Sequence, residues 1–345
     1  MNQRIERLRE RLDEPLLVSN PVNVRYLTGF DSSNPALVVE PDRLRLFSDF
    51  RYAELGRAIE GVEFVETRRD LFAHLAELLE GRLAFESTHL TYARYEVLRD
   101  GGLDLAPRQR LVEDLRAVKD EDELAAIGRA AAITDEAYER LAVEEFAGRS
   151  ERELAWRMNE IMHELGADEP AFPAIVAGGA NGARPHADPG ERTIEPGDAV
   201  VIDSGAAVDG YCSDCTRTFA VGTLRPELKE AYDVCLEAQK QAVEAVHAGK
   251  SGVEVDAVAR QVITEAGYGE KFGHGLGHGV GLDVHEAPRL AQTSSDTLSA
   301  GNVVTIEPGI YLEGIGGIRI EDLVVVTENG PNVLSTFAKE IVEVS

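Results

Sequence analysis

Residues 198–219 read DAVVIDSGAAVDGYCSDCTRTF. The apolar run Ala199–Ile202 has the composition of a strand and ends in Asp203, and a second strand-like run carries Asp214 eleven residues later. A carboxylate at the end of a buried strand is costly to desolvate unless a counter-charge meets it. Two aspartates on neighbouring strands of a hairpin can converge on one cation or bridge two. Taken alone the signal is weak, because an Asp beside a Gly is an ordinary turn residue.

Three further segments give it weight. Residues 272–289, FGHGLGHGVGLDVHEAPR, place His274, His278 and His285 within twelve positions. His274 and His278 have i, i+4 spacing, but the four glycines from Gly273 to Gly279 oppose a helix. No H-E-x-x-H occurs, and the segment fails G-x-G-x-x-G in every register. A Gly-rich extended loop that gathers imidazoles into one pocket remains; three unrelated turn histidines is the plainer alternative. Residues 303–312, VVTIEPGIYL, and 317–326, GIRIEDLVVV, set Glu307 and Glu321 in β-rich apolar runs. Glu is rarely buried without a partner, and either one alone reads as a salt-bridged core residue. Alternation sends Asp322 to the face opposite Glu321.

Together the set holds four carboxylates and one imidazole: Asp203, Asp214, His278, Glu307 and Glu321. Oxygen-rich ligation with a single nitrogen suits manganese, iron(II) or cobalt better than a closed structural zinc site. Four negative charges match two divalent ions, and a pair of such ions is a hydrolytic arrangement.

The chain has 345 residues, and two domains are expected. Up to about residue 113 short strands alternate with helices. The strands are Pro15–Ser19, Ala36–Glu40, Arg43–Ser48, Val62–Val65 and Leu83–Phe85; the helices are Asp49–Glu60, Leu71–Glu80 and Tyr92–Gly101. This describes a small α/β domain over residues 1–113. Its His74 and His89 are isolated. Residues 114–345 mix long helices (Lys119–Phe146, one through Leu165 begun by the Ser150/Glu153 capping box, Pro226–His247 and Val255–Ala266) with the strands Pro173–Ala177, Ala199–Asp203, Ala207–Val221, Asn302–Tyr311 and Gly317–Thr327. That is an α+β pattern. His163 and His247 fall on its helices without evident partners.

Composition excludes several classes. The formal charge is −27, from 62 acids against 35 bases, and such a surface repels nucleic-acid backbones. No apolar run is long enough for a membrane span. The N-terminus, MNQRIERLRERLDEP, is charged and helical and lacks the apolar core of a signal peptide, so a cytoplasmic protein is expected. Cys212, Cys215 and Cys235 are too few and wrongly placed for a disulfide framework, a helical redox pair or a structural zinc site, and read as core residues.

The motifs as a group resemble the prolidase and Xaa-Pro aminopeptidase branch of the creatinase/methionine aminopeptidase, or pita-bread, family. VNVRYLTGF at 22–30 looks like the opening of a creatinase-like N-terminal domain, and LRAVKDEDEL at 115–124 like the first helix of the catalytic domain. The resemblance implies a pita-bread domain over 114–345 holding two divalent metals, manganese or cobalt, with a small peptide as substrate and a homodimer as the working form. It implies that Asp203 chelates one metal, Asp214 and Glu321 bridge both, and His278 and Glu307 complete the set, with Glu307 also accepting a proton. His285 and His186, the latter in ANGARPHADPG (180–190), would serve catalysis and substrate binding. His274, Arg289 and Arg319 would line the substrate site, with Arg319 also supporting the metal carboxylates. Ser204 departs from the larger apolar residue often found after the first aspartate, which bears on pocket shape and not on a ligand. The competing expectations are a methionine-aminopeptidase-like enzyme, a non-catalytic pita-bread peptide-binding protein and a metal-free amidinohydrolase.

Only 6 of the 35 basic residues are Lys. High acid, low Lys and few aromatics point to adaptation to high salt, where self-repulsion is screened. The melting temperature is therefore expected to rise as KCl goes from low to molar levels; a fall in thermal scans would count against salt adaptation.

Overall fold

The computed structural model describes residues 3–345; Met1 and Asn2 of the expected N-terminal helix lie outside it. The chain divides into two compact units after Arg116, three residues beyond the boundary expected from sequence.

In the first unit a mixed six-stranded sheet runs in the order β4-β3-β2-β1-β5-β6. Its strands are β1 (Leu16–Val18), β2 (Ala36–Val39), β3 (Leu44–Asp49), β4 (Glu63–Thr67), β5 (Arg82–Glu86) and β6 (Asp104–Arg108). The central strands β1 and β2 are buried throughout, which explains why they read as apolar runs and not as alternating ones. Helices α1 (Gln3–Arg9), α2 (Pro21–Thr28), α3 (Ala53–Ala58), α4 (Leu71–Leu78), α5 (Tyr92–Asp100) and α6 (Glu113–Arg116) complete it. The five strands and the helices expected at Leu71–Glu80 and Tyr92–Gly101 are present within a few residues. The single helix expected at Asp49–Glu60 is instead a 3-10 turn, Phe50–Tyr52, followed by α3. Three elements were not expected from sequence: the four-residue α6, helix α2 and strand β6. Helix α2 has Asn20 as N-cap, Pro21 in its first turn and Gly29 at φ 74° as its C-terminal stop, which are ordinary boundary signals. Strand β6, DLAPR, is short, ends beside a Pro and pairs only at the sheet edge.

The second unit contains α7 (Glu121–Leu141), α8 (Glu151–Glu164), α9 (Pro226–Glu244) and α10 (Gly252–Glu265). Capping boxes start α7 at Asp120/Glu123, α8 at Ser150/Glu153 and α10 at Ser251/Glu254. Its strands are β7 (Glu169–Pro170), β8 (Ile175–Gly178), β9 (Ala199–Ser204), β10 (Ala206–Val208), β11 (Tyr211–Cys212), β12 (Cys215–Val221), β13 (Gly277–Gly279), β14 (Glu286–Leu290), β15 (Val303–Ile306), β16 (Gly309–Leu312), β17 (Gly316–Arg319), β18 (Asp322–Thr327), β19 (Gly330–Val333) and β20 (Val342–Val344). The sheets β20-β12-β9-β8 and β14-β13-β15-β18-β19 carry the core. An aromatic group of Tyr138, Phe146, Phe219 and Phe337 packs beneath the first of them. Cys212, Cys215 and Cys235 are buried thiols, as their apolar surroundings suggested. Among the described residues no helix is long and apolar enough to cross a membrane.

Three long strands expected from sequence are broken: Ala207–Val221 becomes β10, β11 and β12, and Asn302–Tyr311 and Gly317–Thr327 are each split in two, where the breaks matter most. Register pairs run Val303↔Val325 to Ile306↔Asp322 and resume at Gly309↔Arg319 to Leu312↔Gly316, so both halves belong to one hairpin. The interruption holds Glu307 and Pro308 on one side and Ile320 and Glu321 on the other. Pro308 has no N–H to donate. The amide of Glu307 turns to the Leu276 carbonyl (2.8 Å) and that of Glu321 to the Thr216 carbonyl (3.1 Å). The hairpin thus changes partners where its two glutamates face each other.

Glu86, at the end of β5, is a buried acid of the first unit. It accepts the Ser19 and Asn20 N–H groups (2.6 and 2.8 Å) and the Asn23 amide (2.6 Å), fastening the start of α2. Burial pushes its carboxyl up to about 7 despite these bonds. A folded-state value above the unfolded one means that the native form holds the proton more tightly. The associated stability is complete below the unfolded value of about 4.3 and is lost as pH rises through 7. Hydrogen exchange of β1 and β5 is expected to accelerate between pH 5 and 8 beyond its intrinsic pH dependence, by up to about 3 kcal/mol of opening free energy. A pH-independent opening free energy would refute the shift.

Candidate active site

Asp203 lies in β9, and Asp214 immediately precedes β12, its antiparallel partner. The two strands are not a simple hairpin, because β10 and β11 intervene, but their register (Thr216↔Asp203) brings the two aspartates together. Tyr138 of α7 fixes this pair from beneath, its hydroxyl 2.9 Å from the Ile202 carbonyl and 2.8 Å from that of Cys215. Glu321 faces them from the hairpin break. Carboxylate oxygens of Asp203, Asp214 and Glu321 all lie within 4.8 Å of one another. His278, at the centre of β13, reaches the same point: its Nε2 is 3.2 Å from Glu307 Oε1 and 3.6 Å from Asp214 Oδ2. The structure therefore gathers all five residues that sequence marked as metal donors.

Their surroundings orient them. Thr216 donates its hydroxyl to Glu321 Oε2 (2.6 Å), and Thr305 donates to Glu307 Oε1 (3.1 Å). Arg319 is buried, and its donors are directed to Asp203 Oδ2 (2.5 Å), Thr216 Oγ1 (3.0 Å), the Pro185 carbonyl (3.0 Å) and the Tyr311 hydroxyl (3.1 Å). That set braces Asp203 and uses four of the five guanidinium N–H groups, leaving one on Nη2. Thr216, Thr305 and Tyr311 were not singled out from sequence. Thr216, two positions after Asp214 and thus on its face, carried the one available signal.

The electrostatics are those of acids crowded together in the protein interior. Burial, then the charges of the neighbouring acids, pushes Asp214 and Glu321 well above the usual carboxylate range. Burial also raises Asp203, with Arg319 opposing. Burial works against the Glu307 charge too, but the His278 imidazolium outweighs it and holds Glu307 at about 2; the same contact raises His278 against its own burial. Among the described residues Asp203 Oδ1 is buried with no hydrogen-bond partner. The imidazole of His278 lies with Nδ1 3.1 Å from the Gly279 carbonyl. With the proton on Nδ1, Nε2 presents a lone pair to carboxylate oxygens, an arrangement that repels unless a cation or proton sits between them. An orphaned carboxylate oxygen and an imidazole nitrogen directed at a cluster of four acids fit divalent metal ions.

The other expected pocket residues are placed as follows. The rings of His278 and His285 are 4.3 Å apart. His285 is exposed, and burial together with the His278 charge lowers its pKa. His274 is lowered mainly by burial; its Nδ1 lies 2.8 Å from the Gly275 carbonyl and its Nε2 2.9 Å from the Tyr311 hydroxyl. His186 is exposed on the loop between β8 and β9, and its charge contributes to lowering both His274 and His285. The fully buried Glu151 of α8 anchors that loop by accepting the Gly178 and Gly190 N–H groups (2.9 and 3.1 Å) and the Asn181 amide (3.0 Å). The adjoining β14 is tied by a buried ion pair, Lys119 Nζ to Glu286 Oε1 (2.5 Å). Arg289 stands exposed on β14, and among the described residues its guanidinium makes no ion pair with the donors.

Acids and one imidazole converging from two sheets define the centre of a metal-dependent hydrolase. The chain matches the model of metallopeptidase family M24 over residues 125–328 and that of the creatinase/prolidase N-terminal domain over residues 4–118. It is 39% identical over 336 residues to a peptidase of Bacillus subtilis, covering 95% of each chain. It is 37% identical to the Xaa-Pro dipeptidase of Pyrococcus furiosus, covering 99% of this chain and 100% of the relative. The solved Xaa-Pro dipeptidase of Bacillus anthracis superposes with a TM-score of 0.95 at 39% identity, covering 99% of both chains. The chain belongs to metallopeptidase family M24 and is a peptidase with the family's two-domain, pita-bread architecture.

Asp214→Ala removes one of the three converging carboxylates. Elemental analysis is expected to find at least one fewer equivalent of bound divalent metal than in the parent, with turnover lost; undiminished metal and full activity would remove Asp214 from the site.

Proposed function

We propose that the protein is an Xaa-Pro dipeptidase holding two divalent ions, manganese or cobalt, on Asp203, Asp214, His278, Glu307 and Glu321. The observation that carries this reading is the convergence of Asp203, Asp214 and Glu321, with His278 reaching Asp214 and Glu307 and one Asp203 oxygen left without a partner. Likeness to the Pyrococcus and Bacillus anthracis dipeptidases supports the proline preference. A cytoplasmic homodimer belongs to the same proposal, on the resemblance of the chain to its family.

When bound, the two ions would acidify a water and polarise the scissile carbonyl. The chain supplies the rest. Glu307, whose Oε1 accepts from Thr305 and lies 3.2 Å from His278 Nε2, is assigned the proton-accepting role. His285 and His186 are exposed imidazoles with access to substrate. Either can donate from a ring nitrogen to the oxyanion or to the departing proline nitrogen, which leaves poorly as an anion. Arg319 holds Asp203 and offsets one of the four acidic charges. A proline amide carries no N–H, so a pocket without an acceptor at that atom accommodates it at no hydrogen-bonding cost. Arg289, exposed at the end of the His285 segment, is assigned to the substrate carboxylate.

The alternatives fare worse. A metal-free amidinohydrolase or a non-catalytic binding protein has no use for four converging acids. A methionine-aminopeptidase-like enzyme does not account for the creatinase/prolidase domain matched over residues 4–118.

Hydrolysis of Ala-Pro beside Ala-Pro-Ala, with manganese or cobalt and in both dilute and molar salt, tests the proposal. Ala-Pro is expected to be cleaved at least tenfold faster than the tripeptide, a preference of about 1.4 kcal/mol. Faster cleavage of Ala-Pro-Ala would make the protein an aminopeptidase. No cleavage of either by metal-loaded protein would defeat the reading.

A further inference from the structure

Asp256 and Arg260 stand four residues apart on α10, and neither is a metal donor. Arg260 grips the buried Asp256 carboxylate with two bonds, Nε to Oδ2 and Nη2 to Oδ1, both 2.8 Å. Three further bonds of the pair go to the backbone of one short loop. Arg260 donates to the Phe272 carbonyl (3.0 Å) and to the His274 carbonyl (2.8 Å), and Asp256 Oδ1 accepts the Leu276 N–H (3.1 Å). The guanidinium also lies over the Phe272 ring, 4.2 Å from its centroid.

Three backbone groups within five residues are thereby fixed from outside. The loop needs it, because Gly273, Gly275 and Gly277 give it little conformational preference of its own. Two consequences reach the active site. His274, whose carbonyl is held, presents its ring to Tyr311. Leu276, whose amide is held, offers its carbonyl to the Glu307 N–H at 2.8 Å. The path from Asp256 to the backbone of Glu307 is therefore two hydrogen bonds across one residue.

We propose that the Asp256–Arg260 pair is a positioning device for the proton-handling side of the site. It holds the loop 272–276 so that His274 and Glu307 keep their catalytic placement, while it touches neither substrate nor metal. A displacement of about 1 Å at such groups costs as much as a hundredfold in rate. The proposal rests on the peptidase reading above, and its test includes a measurement that needs no turnover.

The variants are Arg260→Ala, Arg260→Lys and Asp256→Asn in the full chain loaded with manganese. Hydrogen exchange is expected to rise in the peptide spanning 272–277 and at Glu307, while α10 keeps its protection. Metal stoichiometry should match the parent. The kcat on Ala-Pro should fall about ten- to a hundredfold in Arg260→Ala, with a smaller change in KM, and millimolar guanidinium should restore part of it. Arg260→Lys, which keeps the charge but lacks the fork, should fall between. Unchanged exchange at 272–277 would overturn the proposal, as would exchange rising equally through α10 or a kcat loss that guanidinium does not relieve. If the parent itself failed to cleave Ala-Pro, the function reading would fall, and the exchange experiment would still decide the clamp.

Discussion

Three carboxylates whose oxygens lie within 4.8 Å of one another, with a fourth beside them, repel by roughly 3–4 kcal/mol per pair at an effective dielectric of about 20. Among the described residues one guanidinium, that of Arg319, and one imidazole, that of His278, pair with them. No apolar packing advantage explains such a cluster, because well-packed hydrophobic residues in the same positions would be more stable. The cluster makes sense as a site completed by cations, and the elements around it are arranged to keep the acids together in spite of their repulsion.

That arrangement works largely through the backbone. The hairpin β15–β18 breaks its ladder at Glu307 and Glu321 and passes their amides to Leu276 and Thr216, so each glutamate is tied to a different neighbouring segment. Tyr138 spans the carbonyls of β9 and β12 below the aspartates. Glu151, the Asp256–Arg260 pair and the Lys119–Glu286 pair hold the three segments that carry or adjoin His186, His274 and His285. Buried ionic groups are thus spent on loops rich in glycine, whose conformation sequence preference leaves open. A second network, Arg217 with Asp322, Lys339 and Gln239, lies behind Glu321 and also bonds its carbonyl.

Much of this was legible in the sequence. The five donors stand out because each is an acid or imidazole set in an apolar or glycine-rich run, where solvent exposure is the wrong explanation. The capping boxes at Ser150 and the long apolar spacing of α7 located helices well. The misses have local causes. Asn302–Tyr311 and Gly317–Thr327 read as single strands because periodicity carries no mark of a partner change; only Pro308 hinted at it. Helix α2 carried ordinary boundary signals at Asn20, Pro21 and Gly29 but is short. The roles of Asp256 and Arg260 were invisible, since an i, i+4 acid–base pair on a helix reads as surface decoration until the loop beside it is seen.

The sequence by itself determined which residues can bind metal, that there are enough charges for two ions, and that the chain alternates between an α/β and an α+β region. These follow from residue type and spacing along the chain, which are local properties. The tertiary structure decided that Asp203, Asp214, His278, Glu307 and Glu321 share one point, that Arg319 serves Asp203, and that α10 reaches the Gly-rich loop. Those facts depend on strand register and on bonds between residues up to more than a hundred positions apart, as Arg319 and Asp203 are. Spacing along one chain cannot encode such a bond, because hydrogen bonds and charges act through space and not along the backbone.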